Sequence, residues 1–230
     1  PRLVAYKDSV VSSPGGFRIE TGDDMIVVKP GLRVNLANTS DIAVDVNAHI
    51  KDLGIYAEQF GIALSESSPV DMSVALNTES DLPSGRFMFM TQNLGYDAWH
   101  VEKIGIDMSM FNGKLQTNRF EVRTDFALLT ANIRANMTKS QMMEPTTIPF
   151  DAEIHVDDIR LAALPESMQA LMRPTLSNAY DGRFGSADDI LAVDGLGKAV
   201  ITAKGPYDKV NTELDFEMND IHVYGETLSR

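Results

Sequence analysis

Cysteine is absent from this 230-residue chain. That excludes disulfides, thiolate metal sites and cysteine nucleophiles together. Tryptophan occurs once. Basic residues are scarce: 20 Lys and Arg stand against 33 Asp and Glu, a net charge of −13. A nucleic-acid binder needs a positive footprint to displace counterions, so this balance argues against that class. It argues equally against a polybasic grip on anionic lipid headgroups. No apolar run reaches the ~20 residues that span a bilayer. No signal-peptide pattern opens the sequence. The start, Pro1-Arg2-Leu3, lacks an initiator Met and reads as a processed chain or a piece of a longer one. What is present is ordinary apolar content, 43% hydrophobic with 23% charged residues. That argues against disorder and allows one large domain or two small ones.

The dominant local signal has period two. Ile42, Val44, Val46, Ala48 and Ile50 alternate with polar or small residues. Val70, Met72, Val74 and Leu76 repeat the pattern, as do Ile104, Ile106, Met108 and Met110. Leu129 to Met137 follows it, then Ile148 to Val156, then Val210 to Met218. Strict alternation means half-buried strands, because successive side chains point to opposite faces. One wet face and one dry face is the antiparallel habit.

The connections agree. Pro14-Gly15-Gly16, Lys29-Pro30-Gly31, Leu82-Pro83-Ser84-Gly85 and Gly205-Pro206-Tyr207-Asp208 carry turn chemistry. Asn112-Gly113, between the 104–111 and 114–117 strands, is the sharpest hairpin signal, since both residues tolerate positive φ. One stretch breaks the pattern. Pro165 to Arg173 reads as a short amphipathic helix, with Met168, Leu171 and Met172 on one face. The Gly- and Asp-rich 177–194 stretch reads as a loop. The reading is one β-rich domain over 1–230: a sheet section 1–163, helix and loop 164–194, and a final strand pair 195–230.

Catalytic constellations are not assembled by these residues. His49, His100, His155 and His222 show no zinc spacing and read as solvent-facing strand residues. There is no Gly-x-Ser-x-Gly elbow, and Gly195-x-Gly197 lacks the third glycine of a dinucleotide fingerprint. The doublets Asp23-Asp24, Asp157-Asp158 and Asp188-Asp189 put neighbouring carboxylates on opposite sides of a strand, unlike a glycosidase pair. The 181–189 stretch lacks the spacing and terminal Glu of a calcium-binding EF-hand loop. No enzyme, metal or cofactor is expected.

The last third carries a family likeness. Phe150 to Leu161 is a strand ending in a polar step and a short apolar tail. Gly195-Leu-Gly197 opens a strand that reaches the Gly205-Pro206 turn, and the next strand ends in Asp220-Ile-His-Val223. This resembles the repeating unit of the AsmA/TamB group of envelope proteins, over roughly the last 80 residues. The segment Phe111–Met137 resembles it more weakly. The motif encodes strands and turns, with no chemistry of its own.

The resemblance implies a long curled antiparallel sheet with an apolar groove, and bridge-like transfer of phospholipid between the two membranes of Gram-negative bacteria. It implies a periplasmic or cell-envelope location and support of outer-membrane lipid homeostasis. Members of the group begin with a membrane anchor; none occurs in this sequence, so anchoring is expected through a part outside it. Phospholipid or another acyl-chain lipid is the expected partner, with envelope membrane proteins beside it.

The residues expected to line the groove are Met72, Met88, Met90, Ile104, Ile106, Met108, Met110, Ile133, Met137, Ile154, Leu214, Phe216 and Met218. Methionine is soft and unbranched, which suits varied acyl chains; it is equally good filler for a closed core. Phe87-Met88-Phe89-Met90 is apolar on both faces and reads either as an exposed rim or as a strand covered by the 165–173 helix. A ~16-carbon chain fully desolvated along such a groove gains at most ~12 kcal/mol, at ~0.8 kcal/mol per CH₂. Ordering costs reduce that considerably. The alternative reading is a structural or adhesive β-sandwich or solenoid module that binds protein or glycan on its polar face.

Overall fold

The computed structural model describes residues 4–37, 41–97, 99–141, 144–164, 193–223 and 226–228. They form one open antiparallel sheet of 15 strands. The expected helix at 165–173, most of the 177–194 loop and the 181–189 stretch lie outside the described residues.

The first five strands are short: β1 (Ala5–Lys7), β2 (Val10–Ser13), β3 (Phe17–Thr21), β4 (Asp24–Val28) and β5 (Leu32–Asn35). Gly16, at φ 68°, and Pro30-Gly31 interrupt what would otherwise be two long strands. β2 pairs with β5, and β3 with β4. Both β4 and β5 then pair with β6 (Ile42–Ile50), β4 along its second half and β5 at its start.

From β6 onward the sheet is a meander. It runs through β7 (Val70–Asn77), β8 (Ser84–Tyr96), β9 (Trp99–Phe111), β10 (Lys114–Thr124), β11 (Leu128–Asn136), β12 (Pro149–Arg160), β13 (Val193–Pro206), β14 (Asn211–Val223) and β15 (Glu226–Leu228). Each pairs with the next, so the strands after residue 193 belong to the same sheet as those before 164. From β1 by way of β2, β5 and β6 to β15 the path has twelve inter-strand steps, which at about 4.8 Å each give a band roughly 58 Å across.

The Asn112-Gly113 hairpin forms as its residues demand, with φ of 48° and 71°. Several register shifts re-aim the sheet. In β10 an extra residue between Thr117 and Arg119 shifts register, and the Thr117 hydroxyl accepts the Ile133 amide at 2.9 Å. In β12 a second sits at Asp158, φ 55°, between Val156 and Ile159. A bulge bends its strand and increases the local twist.

Among the described residues one short α-helix, α1 (Leu53–Glu58), lies in the connection from β6 to β7. Asp52 caps it by accepting the Gly54 amide at 2.8 Å. Neither α1 nor the five short strands is prominent in the sequence, because six residues or fewer carry too little periodicity to stand out.

Candidate functional site: one apolar sheet face

Antiparallel partners share a face, so the register traces each side of the sheet from strand to strand. Starting at β9, Ile104, Ile106, Met108 and Met110 stand opposite Thr91, Phe89, Phe87 and Gly85 of β8. On the other flank they stand opposite Val122, Phe120, Thr117 and Leu115 of β10. Phe89 and Phe87 pair with Met72 and Val74 of β7, which pair with Ala48 and Val46 of β6. Beyond β10 the same face carries Leu129, Ala131, Ile133 and Ala135. It continues through Val156, Ile154, Ala152 and Phe150, then Ala199, Ile201 and Ala203, and ends on Met218, Phe216 and Leu214. Met137 follows β11 in the same alternation, is half-buried, and donates its amide to Gly113 at 2.8 Å.

Two residues expected in the groove are not on this face. Met88 stands opposite Ser73 and Asp107, and Met90 opposite Asp71 and Gly105. They belong to the polar side. Met90 borders a depression of about 310 Å³ there, with Asp71, Gln92, Lys103 and Arg119. The physical reason is parity. Phe87 and Phe89 take the apolar face, so the intervening methionines must take the other. Phe87, Phe89, Phe120, Phe150 and Ile201 take places on the apolar face that the groove assignment left out. Their sequence signal is membership of the same alternation.

The apolar face is not a closed core. Among the described residues, the buried hydrophobic ones are Val28, Ala48, Val70, Ala127, Ala135, Ala152, Leu161 and Ala199. No Ile, Met or Phe is among them. Phe87 is 36% exposed, Phe216 53% and Leu214 66%. Small side chains are sheltered by taller neighbours, as Ala152 is beside Ile133. Tall ones stand free, as expected of a face with no second layer packed over it. Gly197 shows the local fit: the Met218 sulfur lies over it, where a Cβ would collide.

The opposite face is a lattice of charge. The Arg86 guanidinium grips Asp107 through two bonds, of 3.0 and 2.7 Å, and the Asn118 amide donates to the same carboxylate at 3.1 Å. The guanidinium first, and the amide with it, hold Asp107 below its ordinary value against a smaller burial effect. Glu121 is likewise held down by Arg119 and then Lys103. Lys29–Asp45, Lys198–Glu217 and His49–Asp71 continue the pattern along the sheet. His155 bonds Glu153 at 2.7 Å on this side.

A separate polar cluster lies at one end of the sheet. The ends where β6, β8, β10 and β12 finish are taken as the upper end. There Glu66 bridges Gly95, and Gly95 stands opposite His100. Glycine between them lets the two side chains meet: Glu66 Oε2 lies 3.4 Å from His100 Nε2. Asp125, in the β10–β11 turn, lies 2.7 Å from His100 Nδ1. His100 therefore differs from the expected solvent-facing strand histidine, because it is held between two carboxylates. Nearby, Trp99 meets Phe126 edge-on at a ring separation of 5.6 Å.

Among the described residues no three His, Asp or Glu side chains converge to hold a metal ion. No described helix is long and apolar enough to cross a membrane. No protein-family profile, curated protein or solved structure matches this chain.

Proposed function

We propose that this chain is a non-enzymatic lipid-binding segment that holds acyl chains against its apolar sheet face and passes them along it. The observation that carries the reading is the unbroken apolar face from β6 to β14, with Phe87, Leu214 and Phe216 exposed upon it. An exposed apolar face of this extent marks a binding surface in a soluble protein. Its residue types suit flexible tails rather than one rigid ligand, since Met72, Met108, Met110 and Met218 adapt to shape. Headgroups would remain in water at the sheet ends. The ~12 kcal/mol ceiling for a ~16-carbon tail, less the ordering cost, allows capture and release.

The resemblance to the AsmA/TamB group extends the proposal. It makes the lipid a phospholipid, the compartment the periplasm of a Gram-negative bacterium, and the role support of outer-membrane lipid homeostasis. Membrane attachment would come through a part outside this sequence, and envelope membrane proteins would be its neighbours.

The test is direct. Purified protein should carry co-purifying phospholipid and take up a fluorescent acyl-chain lipid from vesicles. Aspartate in place of Met108 or Ile133 should remove uptake while circular dichroism and the denaturation midpoint stay close to the parent. Absence of lipid and of uptake in the parent, with protein or glycan bound on the polar face, would favour the adhesive alternative.

A further inference from the structure

The connection from β6 to β7 runs along the upper end of the sheet and is tied on both sides. On one side the Tyr56 hydroxyl of α1 donates to Asp24 Oδ2 at 2.6 Å. Asp24 lies two residues ahead of Ile26, so it belongs to the apolar face of β4. On the other side Ser65 donates its amide to the Gly95 carbonyl at 2.9 Å, and the Gly95 amide donates to Glu66 at 3.0 Å. The Glu66 side chain then reaches His100 on β9. The connection thus spans from β4 to β9. At its base Val70, 2% exposed, is the first residue of β7. It carries Ile55 just ahead of the first tie and Phe60 and Ile62 between the two, which are 60%, 82% and 45% exposed.

The second tie has an electrostatic condition. Both ring nitrogens of His100 face carboxylates, from two different segments. A neutral imidazole has one N–H and one lone pair, so it satisfies one carboxylate and repels the other. The doubly protonated ring satisfies both. We propose that residues 51–69 form a strap along the upper end of the sheet, and that protonation of His100 is the latch that holds the strap to the sheet. The charged groups facing the ring are Asp125 from the β10–β11 turn, Glu66 from the strap and Glu102 from its own strand, all acidic. The Asp125 bond is the largest influence raising the imidazole above its ordinary value, burial opposes it, and the charges of Asp125, Glu66 and Glu102 add to it. Because the folded value is raised, the latch is fully made below the ordinary histidine value of about 6.5 and is lost as pH climbs through the raised one. The Tyr56–Asp24 tie has no such dependence in this range. A consequence for lipid entry rests on the acyl-chain reading above: uptake at the upper end should be faster in the alkaline arm. The latch itself does not rest on that reading.

Amide exchange protection at Ser65 and Gly95, corrected for intrinsic base catalysis, reads the latch in the absence of any lipid. The tie is exposed, with side chains 34%, 61% and 51% accessible. Its release should therefore lower protection only about two- to fivefold between about pH 6 and about pH 8.5. His100→Gln and Glu66→Gln should each flatten that profile, and the His100 ring resonance should titrate lower in Glu66→Gln. An identical pH profile in His100→Gln, or a fall in protection spread evenly over β8 and β9, would overturn the latch. Fluorescent-lipid uptake in the same samples separates the two ideas. A pH-dependent strap without uptake retains the latch and removes the lipid reading; uptake with a pH-independent strap does the reverse.

Discussion

The two faces of the sheet are built on the same strands yet are stabilised differently. Along β9, Asp107 and Lys103 are engaged by Arg86 and Glu121 across neighbouring strands. The intervening Ile104, Ile106 and Met108 stand beside Phe87, Phe89, Phe120 and Val122 of the neighbouring strands, with only threonine hydroxyls among them. The polar face is satisfied without a partner: many of its charges pair across neighbouring strands. Among the described residues the apolar face has lateral contact without a cover. A globular sandwich would bury that layer against a second sheet, and here the largest side chains are left half-exposed. The difference separates a structural surface, which is satisfied alone, from one that gains further by meeting an apolar partner.

The largest expected effect comes from making the two faces alike. Met108→Asp or Ile133→Asp puts a carboxylate where acyl chains are proposed to lie. Lipid uptake should drop about tenfold or more. Thermal melts should move little, because both positions retain water access; parent-level uptake in either variant would break the comparison. Next comes a backbone requirement shared by both faces. Gly113, at φ 71°, sits where an added Cβ would strike the Met137 carbonyl. Gly113→Ala should cost about 1–3 kcal/mol in urea unfolding, and a neutral result would refute the turn's role in fixing the β9–β10 register.

A smaller effect belongs to the polar face alone. Asp107 is held below its ordinary value by Arg86, so its contribution is present above the carboxylate range and is lost as pH falls through the depressed value. Asp107→Asn should lower the urea midpoint slightly near neutral pH, and parent and variant should converge in strong acid. An equal difference at both pH values would refute the ion-pair origin. The smallest effect is the matched control. Met90→Lys, on the polar side, should leave uptake within about twofold of the parent. A loss as large as that of Met108→Asp would erase the distinction between the faces.

Much of this was legible in the residues. Alternation located β6, β7, β9, β11, β12 and β14, and Asn112-Gly113 located a hairpin, because each signal is local and acts through the backbone. The apolar layer could be read for the same reason: in Ile104 to Met110 only one parity is apolar. In Phe87 to Met90 both parities are, so alternation says nothing about facing, and Met88 and Met90 were assigned to the wrong side. The Glu66–His100–Asp125 group left no mark at all. Its members are 34 and 25 residues apart in the chain and meet only through the register of three strands.

The sequence by itself therefore determined that the chain forms antiparallel strands with one wet and one dry face. Period-two hydrophobicity dictates that whatever the partner strands are. It also determined an acidic molecule without thiol chemistry. Tertiary structure alone decided that the described residues leave the dry face uncovered, which parity of β8 points into it, and that a histidine is clamped at the upper end of the sheet. Those outcomes depend on pairing register and on the absence of a packed second layer among the described strands, and both are non-local. Identical alternation would serve a closed sandwich equally well, because a strand's hydrophobic pattern specifies that one side avoids water without specifying what replaces it.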